Sequence, residues 1–160
     1  MIFSPQSKVW IYQSNRLFTE TETAAIEHKL NEFTAQWAAH GQQLKAKAEI
    51  IYNIFIVLTV DELTAPVTGC SIDASVRLIK EIESTYGVDL FDRFNIAYKF
   101  DGEVHVISKE DFETLITIKK VTPETIVFNN LVQNLAEFEE KWEVPIKDSW
   151  HKLVFADHFA

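Results

Sequence analysis

Hydrophobic positions in the first part of the chain alternate between strand-like and helix-like spacing. The segment Lys8–Gln13 is apolar and aromatic and predicts a strand. Thr19 with Glu22 has the pattern of a capping box, and apolar residues then recur at helical spacing. These residues are Ile26, Leu30, Phe33 and Trp37. We therefore expect a helix that ends at Gly41, with His40 in its last turn.

The longest apolar stretch predicts the centre of a sheet. Residues 43–60 are too many for one ordinary strand, so we expect a bend near residues 47–49 that separates two extended pieces. The second piece should be buried and end at Asp61. A loop then precedes a helix from about Ser71 to Tyr86, which Gly87 ends.

The strongest local signal lies in the second half of the chain. The dipeptide Asp101-Gly102 separates two alternating segments, residues 93–100 and 103–107, and predicts a β-hairpin. Ser108 with Asp111 then resembles a capping box at the start of a short helix.

The C-terminal part mixes strand and helix signals. Thr125–Val132 suits either, and we expect a strand followed by a helix that Pro145 ends. The aromatic segment Ser149–His151 should dock on the core. Together these elements predict one globular α+β domain over residues 1–160. Its mixed, mainly antiparallel sheet should have three to four helices packed on it.

Charge and length narrow the function classes. There are 15 Lys and Arg residues against 24 Asp and Glu, and the net charge of -9 disfavours nucleic-acid binding. The longest apolar run is short of the roughly 20 residues that span a bilayer, so no membrane insertion is expected. A single cysteine and the lack of a secretory-signal pattern after Met1 favour the cytoplasm. The expected partner is a small molecule, another protein or a second copy of this chain.

The only cysteine, Cys70, marks the segment best suited to a site. It directly precedes the expected helix, which Ser71 would cap. Unpaired N–H groups at a helix N-terminus stabilise a thiolate, so Cys70 is a candidate nucleophile or redox sensor. The alternative is that Cys70 is a small buried residue beside an ordinary cap, with Asp73 as a favourable first-turn acid. No sequence pattern places a histidine beside Cys70 as a base.

Two further groups of residues could bind ligands. Asp61, Glu62 and Asp73 could converge on Mg²⁺ and support phosphoryl chemistry, or they could be solvated loop acids. Arg16 and Arg93 each lie beside a predicted turn, where they could clamp a carboxylate or phosphate or form structural ion pairs. No His or Cys spacing suits zinc, so no metal ligand set and no cofactor is expected.

Several segments together resemble a family of small Bacteroidetes proteins over nearly the whole chain. They are Val9–Tyr12, Trp37 with His40-Gly41, Val60–Glu62, Gly69–Asp73, Phe91–Arg93, Val127–Asn129 and Ser149-Trp150. Members often carry the label "ABC transporter ATPase". The label does not suit this chain, because the phosphate-binding pattern G-x-x-x-x-G-K-[ST] is absent and 160 residues are too few for a complete nucleotide-binding domain of that kind. The patterns G-x-G-x-x-G and G-x-S-x-G, which mark common dinucleotide-binding proteins and hydrolases, are absent too. The resemblance implies no activity and no catalytic residues.

The sequence therefore favours a cytoplasmic binding or interaction domain. Its site should lie near the junction between the central strand and the following helix. The candidate ligand-binding residues are Arg16, His40, Asp61, Cys70, Ser71, Asp73 and Arg93. The competing hypothesis is a small enzyme, which would be thiol-dependent through Cys70 or Mg²⁺-dependent through Asp61 and Asp73.

Overall fold

The computed structural model describes residues 2–160 and shows an α+β fold. Every pairing between strands of this part of the chain is antiparallel, but the strands form three sheets and not one. The chain divides into two compact units. Unit 1 takes the chain up to Phe91 together with Gln133–Ala136, and unit 2 takes Asp92–Val132 and Glu137–Ala160. The expectation of one domain over residues 1–160 stays a prediction.

Unit 1 is built on a three-stranded sheet in the order β1-β5-β4 with two long helices. In chain order its elements are β1 (Lys8–Gln13), α1 (Glu20–Gln36), β2 (Ala38–Ala39), β3 (Gln42–Gln43), β4 (Lys45–Ile51), β5 (Phe55–Asp61) and α2 (Gly69–Tyr86). As predicted, β5 is the central strand, and all seven of its residues are buried.

The main core of unit 1 lies between one face of this sheet and the two helices. Buried side chains of β5, α1 and α2 meet there. They include Ile56, Leu58 and Val60 from β5, Ile26 and Leu30 from α1, and Ile79 and Ile82 from α2. Burying a side chain of this size contributes about 1.5–3 kcal/mol, so this contact sets the positions of both helices.

Two boundaries in unit 1 differ from the sequence-based expectation. The expected bend at residues 47–49 is wrong, because β4 runs unbroken and the chain turns at Tyr52 and Asn53, with φ of 55° and 56°. Two consecutive residues with positive φ form the tight turn that suits the twist of a hairpin. The Thr19 capping box is confirmed, but α1 ends at Gln36 and not at Gly41, because Ala38–Ala39 pairs with Gln42–Gln43.

Unit 2 contains a four-stranded sheet in the order β7-β6-β8-β9 and shorter helices. Its elements are β6 (Asn95–Phe100), β7 (Glu103–Ser108), α3 (Lys109–Thr117), β8 (Ile126–Phe128), β9 (Glu143–Pro145) and α5 (His151–Val154), with 3₁₀ turns at Ile146–Asp148 and Ala156–His158. The remaining helix, α4 (Leu135–Lys141), has its first two residues in unit 1 and the rest in unit 2. No helix in residues 2–160 is long and apolar enough to cross a membrane.

The expected hairpin and tail are confirmed in unit 2. Asp101 and Gly102 have φ of 52° and 76° and join β6 to β7. The tail docks through Phe155, which is fully buried and lies 5.0 Å from Phe112 between ring centroids. The expected strand and helix after Thr125 are β8 and α4, but α4 ends before Pro145, which lies in β9. Proline is compatible with β9 because β9 is an edge strand.

Candidate ligand-binding groove

A groove of about 710 Å³ lies in unit 1 between the end of α1 and the start of α2. Phe33 and Trp37 come from the end of α1 and the residue that follows it, and His40 from the β2–β3 turn. Cys70 and Ser71 come from the first turn of α2. The groove therefore collects three of the candidate residues: His40, Cys70 and Ser71.

The first turn of α2 is organised differently from the prediction. Thr68, and not Ser71, is the N-cap, and its Oγ1 accepts a hydrogen bond from the Ser71 N–H at 3.2 Å. The Ser71 Oγ accepts from the Thr68 N–H at 2.8 Å, which completes a capping box. The spacing Thr-x-x-Ser offers two capping hydroxyls three positions apart, and the sequence pattern alone does not rank them.

Cys70 consequently lies inside the helix, at its second position, and not just before it. Its side chain is exposed, so the alternative of a buried cysteine is wrong. The first turn of α2 contains no acidic residue, and no hydrogen bond from the Gly69 or Cys70 N–H is found within residues 2–160. The positive end of this helix dipole is thus available beside an accessible thiol.

The sequence predicted His40 in the last turn of α1. In the structure it lies instead in the tight turn between β2 and β3. Its φ of 52° and that of Gly41, 77°, are both positive, as such a two-residue turn requires. This turn places His40 on the same groove as Cys70. No local spacing could have predicted that His40 and Cys70 line one groove, because 30 positions separate the two residues.

Trp37 joins the groove to the core of unit 1. It is only 3% exposed, and its Nε1–H donates to the carbonyl oxygen of Ser71 at 2.8 Å. Its ring lies 5.0 Å from Phe33 and 6.2 Å from Trp10, measured between centroids. The indole therefore packs under the groove: it hydrogen-bonds the backbone of the first turn of α2 and forms part of the apolar wall. Its helical spacing predicted a core residue but not this second role.

Asp61 has a structural position at the end of β5, outside the groove. One carboxylate oxygen accepts from the Ser4 N–H and the other from the Leu63 N–H, both at 3.0 Å. Lys45 Nζ lies 3.5 Å away. These backbone donors, with a smaller contribution from Lys45, hold the pKa of the buried Asp61 carboxyl below its usual range.

The other two acids of the magnesium hypothesis are also separate from the groove. Glu62 accepts from the Val67 N–H at 3.0 Å and lies 3.3 Å from Lys8 Nζ. Asp73 is exposed on α2 and does not line the groove. Residues 2–160 contain no group of three or more His, Cys, Asp or Glu side chains placed to hold a metal ion. The magnesium hypothesis gains no support from this arrangement.

Arg16 forms a structural ion pair with Glu22, which is the second of the two roles that the sequence left open for it. Its guanidinium donates to both carboxylate oxygens of Glu22, at 2.8 and 2.9 Å, and to the Tyr86 carbonyl oxygen at 2.8 Å. The Arg16 hydrogen bonds, followed by the Thr19 backbone N–H, lower the pKa of Glu22 to about 2. Arg16 thereby links the start of α1 to the end of α2, and both of its terminal guanidinium nitrogens donate to these partners.

Arg93 belongs to unit 2, in the exposed loop before β6. It is not among the residues that line the groove. Of the seven candidate residues, the structure thus brings together His40, Cys70 and Ser71 and leaves Arg16, Asp61, Asp73 and Arg93 elsewhere.

Comparisons with models of protein families, with curated protein sequences and with solved structures gave no significant match to this chain. The resemblance to the Bacteroidetes family stays a prediction.

Proposed function

We propose that this protein is a cytoplasmic binding domain whose groove holds a small ligand with an apolar body and an anionic end. The single observation that carries the proposal is the composition of the groove: an aromatic wall and the open N-terminus of a long helix share one cavity. The volume of about 710 Å³ lies within the range of small-molecule sites.

The apolar wall suits the body of such a ligand. Phe33 and Trp37 pack against each other, and Trp37 is held by its hydrogen bond to Ser71 and by its burial. A wall that is already ordered loses little side-chain entropy when a ligand covers it. Ala38 and Ala39 continue the same surface and leave it open, because they carry only a methyl group.

The first turn of α2 suits the anionic end. The protein has a net charge of -9, which would repel anions in general. The α2 N-terminus is a local exception, since it combines available N–H groups with the positive end of the dipole and has no acid in its first turn. His40 can donate a further hydrogen bond from the other side of the groove.

Anilinonaphthalene sulfonate is a suitable probe, because it joins an apolar aromatic body to one anionic group. We expect the folded protein to bind it in the groove and the probe to slow alkylation of Cys70 by iodoacetamide. Changing Cys70→Asp places a negative charge beside the anionic end and should weaken binding about fivefold or more. The same change adds an acid at the second helical position, so it should leave the melting temperature unchanged or raise it.

Two matched variants separate charge from structure. Cys70→Ser keeps the side-chain size and adds no charge, so it should bind like the unmodified protein. Asp73→Asn changes a charge on the same helix outside the groove and should also be silent. Equal affinity in Cys70→Asp and Cys70→Ser would refute an anion-accepting groove.

A second candidate function is thiol chemistry at Cys70 with His40 as the base. It is favoured by one observation, that the exposed thiol and the imidazole line the same groove. An adjacent base is what activates a cysteine nucleophile. His40→Asn tests this well, because asparagine tolerates the positive φ at this position. If His40 assists the thiol, His40→Asn slows iodoacetamide alkylation near neutral pH; an unchanged rate would exclude the pairing.

A further inference from the structure

The outer strands of the two larger sheets differ in how they are protected from pairing with other chains. β1 is partly covered, since its Val9 N–H donates to the Gln133 carbonyl at 3.1 Å. β4 carries charged side chains such as Lys47 and Glu49, and β9 is a three-residue strand that contains Pro145. Charges, proline and short length are the usual ways in which edge strands avoid association.

The outer strand β7 shows these features only at its first residue, the charged Glu103. It is six residues long, contains no proline, and has no Asp, Glu, Lys or Arg between Glu103 and Ser108. Its residues from Val104 to Ser108 are partly exposed. Within residues 2–160, no hydrogen bond from outside the β6–β7 hairpin reaches the backbone of Val104 or Val106.

The hairpin turn determines which backbone groups of β7 are free. In a two-residue turn such as Asp101-Gly102, the residues on either side exchange both hydrogen bonds, which assigns Phe100 and Glu103 to a hydrogen-bonded pair. Hydrogen-bonded and non-bonded pairs alternate along an antiparallel ladder. The pairs Lys99–Val104 and Ala97–Val106 are therefore non-bonded, and the N–H and C=O groups of Val104 and Val106 point away from β6.

We infer that β7 pairs antiparallel with β7 of a second copy of this chain and forms a homodimer with one continuous sheet. A two-fold axis at His105 places Val104 of each copy opposite Val106 of the other. In this register the outward N–H and C=O groups of both valines are all paired. A shift by two residues towards the turn would place Val106 opposite Gly102 in the turn, and a shift the other way would place Val104 opposite Ser108, the N-cap of α3, whose C=O already accepts the first hydrogen bond of that helix.

The same register also brings opposite charges together. It places Asp101, in the turn of one copy, at the level of Lys109 of the second copy, just after the end of β7. Within its own chain, Lys109 Nζ is only loosely paired, 3.9 Å from Glu113, and its side chain is 41% exposed. This charge complementarity does not depend on the backbone pairing, and it favours a second copy as the occupant of the β7 edge.

The interface is small, so the dimer should be weak, with a dissociation constant in roughly the micromolar range or above. Sedimentation of the full chain up to about 1 mM should show a concentration-dependent dimer. Val106→Pro removes an outward N–H that β6 does not use, and it should raise the dissociation constant roughly tenfold or more. Val106→Ala keeps that N–H and serves as the matched control, which should still dimerise.

Charge reversal and hydrogen exchange give two further readouts. Lys109→Glu should weaken the dimer by repelling Asp101 of the second copy, whereas Lys120→Glu, an exposed reversal elsewhere in unit 2, should not. In the unmodified protein, the Val104 and Val106 amides should exchange more slowly as the protein concentration rises, and this measurement decides the case if Val106→Pro does not fold. A protein that is monomeric throughout, or a dimer in which these two amides stay unprotected, would overturn the inference.

Discussion

Acid should destabilise the folded protein through one residue, His151. Its side chain is only 2% exposed, its Nδ1 lies 2.7 Å from the Ser149 Oγ, and its ring stacks on Trp150 at 3.8 Å between centroids. Burial disfavours the charged imidazolium and lowers the pKa of His151 from 6.5 to about 4. The folded state therefore keeps His151 neutral under conditions in which the unfolded chain takes up a proton.

The sign and size of the effect follow from this difference. Because the folded pKa lies below the unfolded one, the contribution of His151 is fully present above about pH 6.5 and is lost as the pH falls towards about 4. The complete shift corresponds to about 3 kcal/mol of unfolding free energy. Between about pH 7 and pH 5, the expected loss from His151 is about 2 kcal/mol.

The matched variant for this prediction is His151→Asn, which retains a polar group for Ser149 but cannot titrate. Urea unfolding of both proteins, followed by tryptophan fluorescence at the two pH values, gives the four free energies needed. The native protein should lose about 2 kcal/mol more than His151→Asn on acidification, because the carboxylates contribute equally to both. Equal losses, or an NMR titration that finds the pKa of His151 near its ordinary value in the folded state, would contradict a buried, neutral His151.

Three other predictions concern packing, capping and an ion pair. Phe155→Ala removes a fully buried ring and should lower the unfolding free energy by about 3–5 kcal/mol in urea titrations, whereas a loss below about 1 kcal/mol would mean that the tail is not docked. Thr68→Ala removes the N-cap of α2 and should lower the free energy of unfolding by about 1 kcal/mol. An unchanged free energy of unfolding would mean that Ser71, and not Thr68, caps the helix. Arg16→Gln removes both charged hydrogen bonds to Glu22, so NMR titration should find the Glu22 pKa well above about 2.

Turn and cap chemistry explains which elements the sequence predicted well. Asp101-Gly102 marks its hairpin without help from the rest of the chain, because few residues adopt two consecutive positive φ values at low cost. Thr19 with Glu22 predicted the start of α1 for a similar reason, since each side chain satisfies a backbone N–H of the same turn. The φ of 63° at Gly87 likewise ends α2.

The errors occurred where two local solutions compete or where pairing is remote. Thr68 and Ser71 can each cap a helix, and the structure uses Thr68. The turn at Tyr52-Asn53 interrupts an apolar run and contains no glycine or proline, so the sequence there lacks the residues that usually predict a turn. The short strand β9 exists only because it pairs with β8, which lies earlier in the chain. For β9 the deciding contact lies outside the local window, whereas at Thr68 and Ser71 two hydroxyl groups of one turn compete for the same role.

Local sequence patterns were enough to predict the α+β class, the buried β5, most helix and strand positions, and Cys70 as a candidate site residue. These depend on hydrophobic periodicity and on the conformational preferences of single residues, which act over a few positions. The folded arrangement was needed to show that Cys70 is exposed, that His40 lies on the same groove, and that Arg16 and Asp61 are held by structural contacts. Those facts depend on how α1, β5 and α2 pack together, and packing joins side chains that no local pattern relates.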